Sequence, residues 1–104
     1  MKSSSVESVG GRFVGWGPRG WFEIVYSIVT ESLDGSLKTH LMNKCNLNSK
    51  QAENYVHFLL KYRLLKRERS YDSSRITYKT TELGRKYVEI YGKMLEFFVY
   101  RHEE

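Results

Sequence analysis

A single cysteine, Cys45, is present, so no disulfide can form within the chain. A thiol-only chain suits a reducing interior, and a cytoplasmic location is expected. No apolar run reaches the roughly 18 residues that a membrane-spanning helix needs, so no membrane partner is expected. The N-terminus has no hydrophobic segment of the kind a secretory signal carries. The three histidines, His40, His57 and His102, lack ligand spacing such as i, i+4, and no second cysteine completes a metal set. The run GGRFVG follows no strand and is not a dinucleotide fingerprint. His57 has no nucleophile beside it in sequence. No metal, cofactor or small-molecule ligand is expected, and no enzymatic activity.

What is present describes a small folded domain. The chain has 104 residues, 40% of them hydrophobic and 14% aromatic, with eight tyrosines. That length makes one domain, able to bury roughly 60–65% of its unfolded surface around a single core. The net charge is +5 and the pI about 9.4. A basic balance favours a polyanionic partner. The distribution is more informative than the total. From Lys61 to Lys93 there are ten basic and four acidic residues, a net of +6, while the rest of the chain sums to −1.

Residues 1–18 are rich in Ser and Gly and have little periodic apolar character, which reads as a flexible arm. The arm is either a simple tail or a minor-groove contact of the sort some DNA-binding modules use. Phe13 and Trp16 can alternatively fold back over an apolar patch. Trp21, Ile24, Val25, Ile28, Val29 and Leu33 recur at helical spacing, and Asp34-Gly35 stops that helix. Ser36 is the expected cap of a second helix with Leu37, Leu41 and Met42 on its apolar face. Cys45, at its end, reads as a small buried hydrophobe.

Asn46-Leu47-Asn48 is a turn, with Leu47 pointing inward. Asn48 and Gln51 form a capping box at the start of a third helix over 49–63. Ala52, Tyr55, Val56, Leu59 and Leu60 share one of its faces. Ser49, Lys50, Glu53, Asn54, His57 and Lys61 form an exposed strip on the other. Leu64-Leu65 opens a strand, and Arg75 to Thr80, alternating and β-branched, forms its return. Thr81 caps a last helix from Glu82 to about Arg101, roughly 30 Å long. That helix has two apolar stripes: Leu83, Tyr87, Ile90, Met94 and Phe97, and Val88, Tyr91, Leu95 and Phe98 with Val99 beside it. One stripe suffices for a small core. The second, Val88, Tyr91, Leu95, Phe98 and Val99, is expected to pair with another copy of the chain, since spacings of three and four suit helix–helix packing. Packing of both stripes within one chain is the competing possibility.

The order helix, helix, turn, helix, hairpin, long helix is that of a winged helix-turn-helix followed by a dimerisation helix. The fold class is therefore mainly α with a small β-hairpin wing. Residues 19–80 form the binding domain and 81–104 the dimerisation helix. The second helix holds the third so that its polar strip faces outward, where it fits a major groove about 12 Å wide.

The run SLKTHLMNKCNLNSKQAENYVHFLLKYRLL followed by YKTTELGRKYVEIYGKMLEFF resembles archaeal winged helix-turn-helix DNA-binding proteins that dimerise through a C-terminal antiparallel coiled coil. The matching positions are Lys38, Thr39, Met42, Asn46, Leu47, Tyr55, Val56, Leu59, Leu64, Tyr78, Thr80, Thr81 and Gly84. Arg63 stands where that family has Gly before its Leu pair, which puts a non-glycine residue in the left-handed cap. Asn48 replaces a Ser cap and Cys45 a small Ala.

The resemblance implies a homodimer bound to double-stranded DNA, in transcription regulation or a chromatin-like role, with Ser49, Lys50, Glu53, Asn54 and His57 as base-reading positions and Lys61 on the same strip. Chemically, Asn54 suits adenine and Lys50 suits guanine or phosphate. Glu53 repels phosphate unless it accepts from cytosine. The wing, 66–79, offers Lys66, Arg67, Arg69, Arg75 and Lys79 to phosphates, with Arg85 and Lys86 extending the patch. A winged helix that binds another protein is the alternative, because fold does not dictate function. RNA is a third option, disfavoured because the tyrosines are too periodic to form a stacking platform.

Overall fold

The computed structural model describes residues 20–69 and 74–99. The arm expected at 1–18, the hairpin tip at 70–73, residues 100–104 and the side chain of Val99 lie outside the described residues.

The elements are α1 (Trp21–Glu31), α2 (Lys38–Cys45), α3 (Ser49–Lys61), β1 (Leu65–Arg69), β2 (Ile76–Thr80) and α4 (Glu82–Val99). The fold is mainly helical with one antiparallel hairpin, as expected. Helix α1 lies at the centre. Its Ile24, Val25, Ile28 and Val29 meet Leu41 and Cys45 of α2, Leu47 of the turn, and Ala52, Val56 and Leu59 of α3 in one core. Each large apolar side chain buried there contributes about 1.5–3 kcal/mol. Cys45 is 1% exposed and packs within this core.

Local chemistry sets the helix ends. Asn46 closes α2 in the left-handed region, φ 59°, and the Leu47 N–H donates to the Met42 carbonyl at 2.9 Å. At α3 both capping-box bonds form: the Gln51 N–H donates to Asn48 Oδ1 at 2.8 Å and the Asn48 N–H to Gln51 Oε1 at 2.9 Å. Helix α3 stops at Lys61, two residues before the expected end. Arg63 takes the left-handed cap at φ 67°, and the Leu64 N–H donates to the Leu59 carbonyl at 2.9 Å. A non-glycine residue there costs about 1 kcal/mol. Arg63→Gly is therefore expected to raise Tm by roughly 5 °C, read by thermal denaturation; an unchanged or lower Tm would mean that the Arg63 side chain makes compensating contacts.

Ser36 does not cap α2. Its N–H donates to the Tyr78 carbonyl at 2.9 Å and its carbonyl accepts from the Tyr78 N–H at 2.8 Å, an isolated bridge to the wing. Its Oγ donates back to the Glu31 carbonyl at 2.6 Å. With both backbone and hydroxyl engaged, the cap position falls to Leu37, which has no side-chain bond to offer.

The segment Tyr78 to Gly84 joins wing, core and α4. Buried Thr80 donates its hydroxyl to the Val29 carbonyl at 2.6 Å, tying β2 to α1. Thr81 Oγ1 donates to the Arg63 carbonyl at 2.6 Å and accepts the Gly84 N–H at 3.1 Å, so it caps α4 as expected. A Cβ on Gly84 would collide with the Leu64 carbonyl and stand 2.6 Å from Thr80 Cγ2. Only glycine lets α4 start this close to the end of α3.

Candidate nucleic-acid interface

Ser49, Lys50, Glu53, Asn54, His57 and Lys61 are all exposed, opposite the buried Ala52, Val56 and Leu59. Ser49 and Lys50 sit in the first turn of α3, where free N–H groups and the helix dipole favour an anion. Glu53 is not an isolated negative charge. Its Oε2 lies 3.3 Å from Lys38 Nζ on α2. The pair is exposed and adds little stability, but it offsets the repulsion that a bare carboxylate would exert on phosphate.

The wing divides its charge between two faces. Pairing aligns Leu65 with Thr80, Lys66 with Lys79, Arg67 with Tyr78, Glu68 with Thr77 and Arg69 with Ile76. Strand residues alternate sides, so Arg67 and Arg69 share the face of buried Leu65, and Lys66, Glu68 and Lys79 take the opposite one. Lys66 Nζ is 3.5 Å from Glu68 Oε2. The basic residues therefore do not form one patch. Arg75 is exposed just before β2.

Arg67 is the link to α3. Together with Lys38, Glu53, Val56, His57, Leu60 and Tyr78 it lines a shallow groove of about 230 Å³. Residues from the polar strip, from α2 and from the wing thus open onto one side of the molecule. The sequence matches the family model described as winged helix-turn-helix over residues 18–98. The chain belongs to the winged helix-turn-helix family. A solved structure of Sso10a-2, a DNA-binding protein from Sulfolobus solfataricus, has the same fold, with a TM-score of 0.65 and 22% identity over 76% of this chain and 81% of that one. No curated protein matches the chain.

Within this winged helix-turn-helix, α4 turns the stripes around. The stripe expected to face a second copy is largely the inward one: Leu95 is buried, Val88 packs on the core, and the Tyr91 ring lies 4.8 Å from that of Tyr26 on α1. Phe98 is exposed, and the side chain of Val99 lies outside the described residues. The other stripe faces out, with Leu83 at 50%, Ile90 at 68% and Met94 at 43% exposure. Its Tyr87 alone turns inward enough to donate its hydroxyl to the Phe22 carbonyl at 2.7 Å. Burial, and then the neighbouring Tyr91, push the Tyr87 phenol well above its ordinary pKa, so it stays a neutral donor. Burial, followed by Glu23 and Tyr26, raises Tyr91 as well.

Two features were hidden from sequence reasoning. Lys38 joins the site through its ion pair with Glu53, across the turn. An exposed aromatic row also borders the polar strip: the Trp21 ring stacks on Phe22 at 4.1 Å, Phe58 meets Trp21 edge-on at 5.8 Å, and Tyr62 lies 4.9 Å from Phe58. Phe58 stands four residues after Asn54, a helical-neighbour spacing that could have flagged it. The described residues contain no group of three His, Cys, Asp or Glu side chains able to hold a metal, and none of their helices is long and apolar enough to cross a membrane.

Proposed function

We propose that the protein is a homodimeric double-stranded DNA-binding protein, serving as a transcriptional regulator or in a chromatin-like role. The observation that supports this best is the groove shared by Glu53 and His57 of α3 and Arg67 of the wing. It lets helix and hairpin engage one duplex together. In this reading α3 enters the major groove, with Asn54 pairing to adenine, Lys50 meeting guanine or phosphate, and Ser49, His57 and Lys61 along the walls. Arg67 and Arg69 contact phosphates beside that groove. Lys66, Arg75 and Lys79 add a weaker field from the rest of the wing. The DNA binding stated for Sso10a-2 supports the same assignment.

The dimer is assigned to α4, through the outward stripe. Leu83, Tyr87, Ile90, Met94 and Phe97 follow one another at spacings of 4, 3, 4 and 3, the heptad pattern of a coiled-coil seam. Residues 19–80 are the binding unit in this reading, and 81–104 join two of them.

Titration of a labelled duplex at several salt concentrations tests the proposal. If Arg67 and Arg69 of two protomers neutralise four phosphates, log K falls against log salt with a slope of about −3.6 or steeper. No binding at about 50 mM salt would retire the reading.

A further inference from the structure

We propose that the corner between Trp21 and Phe58 binds an unpaired nucleobase, so that the protein also holds single-stranded or locally opened DNA. Trp21 is 49% and Phe58 37% exposed, and their rings meet at 84°. With Tyr55 and Asn54 they line a groove of about 340 Å³. That is near the lower end of the range of small-ligand sites, ~300–1,000 Å³, and accommodates a single flat heterocycle.

The geometry suits a base better than an aliphatic side chain. Aromatic rings favour offset stacking and edge-to-face contact, and two walls at right angles supply one of each to a planar guest. Trp21 also stacks on Phe22, with ring centroids 4.1 Å apart, so a third ring supports the aromatic corner. Asn54, which also lines the groove, has a carboxamide with both donor and acceptor for a base edge.

Charge selects the occupant. Lys50 precedes Asn54 by one turn of α3 and Lys61 follows Phe58 by one, so two cations bracket the aromatic corner along the same helix edge, about 16 Å apart. A strand threading past places phosphates near these lysines and a base between them. Stacking beside a positively charged track is how proteins grip single strands without sequence preference. A second copy of the chain has a better seat on the longer heptad-spaced stripe of α4.

The inference shares its polyanion with the duplex reading but is separable from it. The test uses the full chain with Trp16→Phe, which leaves Trp21 as the one tryptophan. The probes are a single strand of about twelve nucleotides and a fully paired duplex. Binding of the single strand is expected to quench Trp21 emission. Phe58→Ala is expected to weaken single-strand affinity about ten- to a hundred-fold and to leave duplex affinity in place, while Phe58→Tyr retains both. If Phe58→Ala fails to fold by circular dichroism, Phe58→Leu, which keeps an apolar side chain but removes the aromatic face, replaces it and is expected to weaken single-strand binding in the same sense while leaving duplex affinity in place.

Unchanged single-strand affinity in the folded variant overturns the proposal. So does conversion of a dimer to a monomer by Phe58→Ala in sedimentation, which would make the corner a protein contact. Loss of duplex binding alone in the parent chain would count against the duplex reading and leave this one standing.

Discussion

Reversing Arg67 and Arg69 to Glu is expected to weaken duplex binding by at least about ten-thousand-fold. Each charge-assisted hydrogen bond contributes about 1.5–3 kcal/mol. Losing two from each protomer of the proposed dimer removes four, at least about 6 kcal/mol, and each 1.4 kcal/mol is tenfold in affinity. Fold stability is expected to change by less than about 0.5 kcal/mol, because both side chains are exposed. The matched control is Lys66→Glu with Lys79→Glu. These residues lie on the opposite face of the hairpin, and Lys66 is already paired with Glu68. Their reversal acts through a screened field alone and is expected to cost only a few-fold. Equal effects from both pairs, in anisotropy titrations at one salt concentration, would contradict the division of the wing into two faces.

Ile90→Asp is expected to turn the proposed α4 dimer into a monomer at micromolar concentration. Ile90 is 68% exposed in the single chain and sits in the middle of the heptad-spaced stripe. Burying an isoleucine contributes about 1.5–3 kcal/mol, and a two-fold interface contains the residue twice. The substitution therefore removes about 3–6 kcal/mol of association energy, before the cost of desolvating two carboxylates. At tenfold per 1.4 kcal/mol, dimer affinity falls by at least about a hundred-fold. Leu95→Asp is expected to do something different. Leu95 is 8% exposed within one chain, so the charge enters the chain's own packing and lowers Tm. Sedimentation together with thermal melts separates the two outcomes. A parent protein that sediments at the mass of one 12.3 kDa chain would remove the α4 dimer.

The helix-turn-helix was legible because its determinants are local. The Asn48–Gln51 capping box, the inward Leu47 and the Ala52–Val56–Leu59 face lie within a dozen residues of one another. The left-handed Arg63 could be foreseen from the absent glycine alone. The failures involve partners distant in sequence. Ser36 has a good capping side chain, yet Tyr78 takes its backbone into a bridge. The stripes of α4 both have helical spacing, and only the crossing of α1, with Tyr26 against Tyr91 and Tyr87 against the Phe22 carbonyl, decides which faces inward. The division of the wing follows from strand parity alone: Leu65 is the apolar residue of β1, so its parity partners Arg67 and Arg69 share its face. Glu53 looked out of place on a DNA-facing strip because its counter-charge, Lys38, stands on another helix.

The central claim is that the outer strip of α3 and the Arg67–Arg69 face of the wing engage one duplex together. Amide chemical-shift mapping of the labelled protein during duplex titration tests it most directly. The account predicts that the largest perturbations fall on Ser49, Lys50, Asn54, His57 and Lys61 of α3 and on Arg67 and Arg69 of β1, saturating at one common concentration. Perturbations confined to α1 and the outward stripe of α4, with α3 and the wing unmoved, would contradict it.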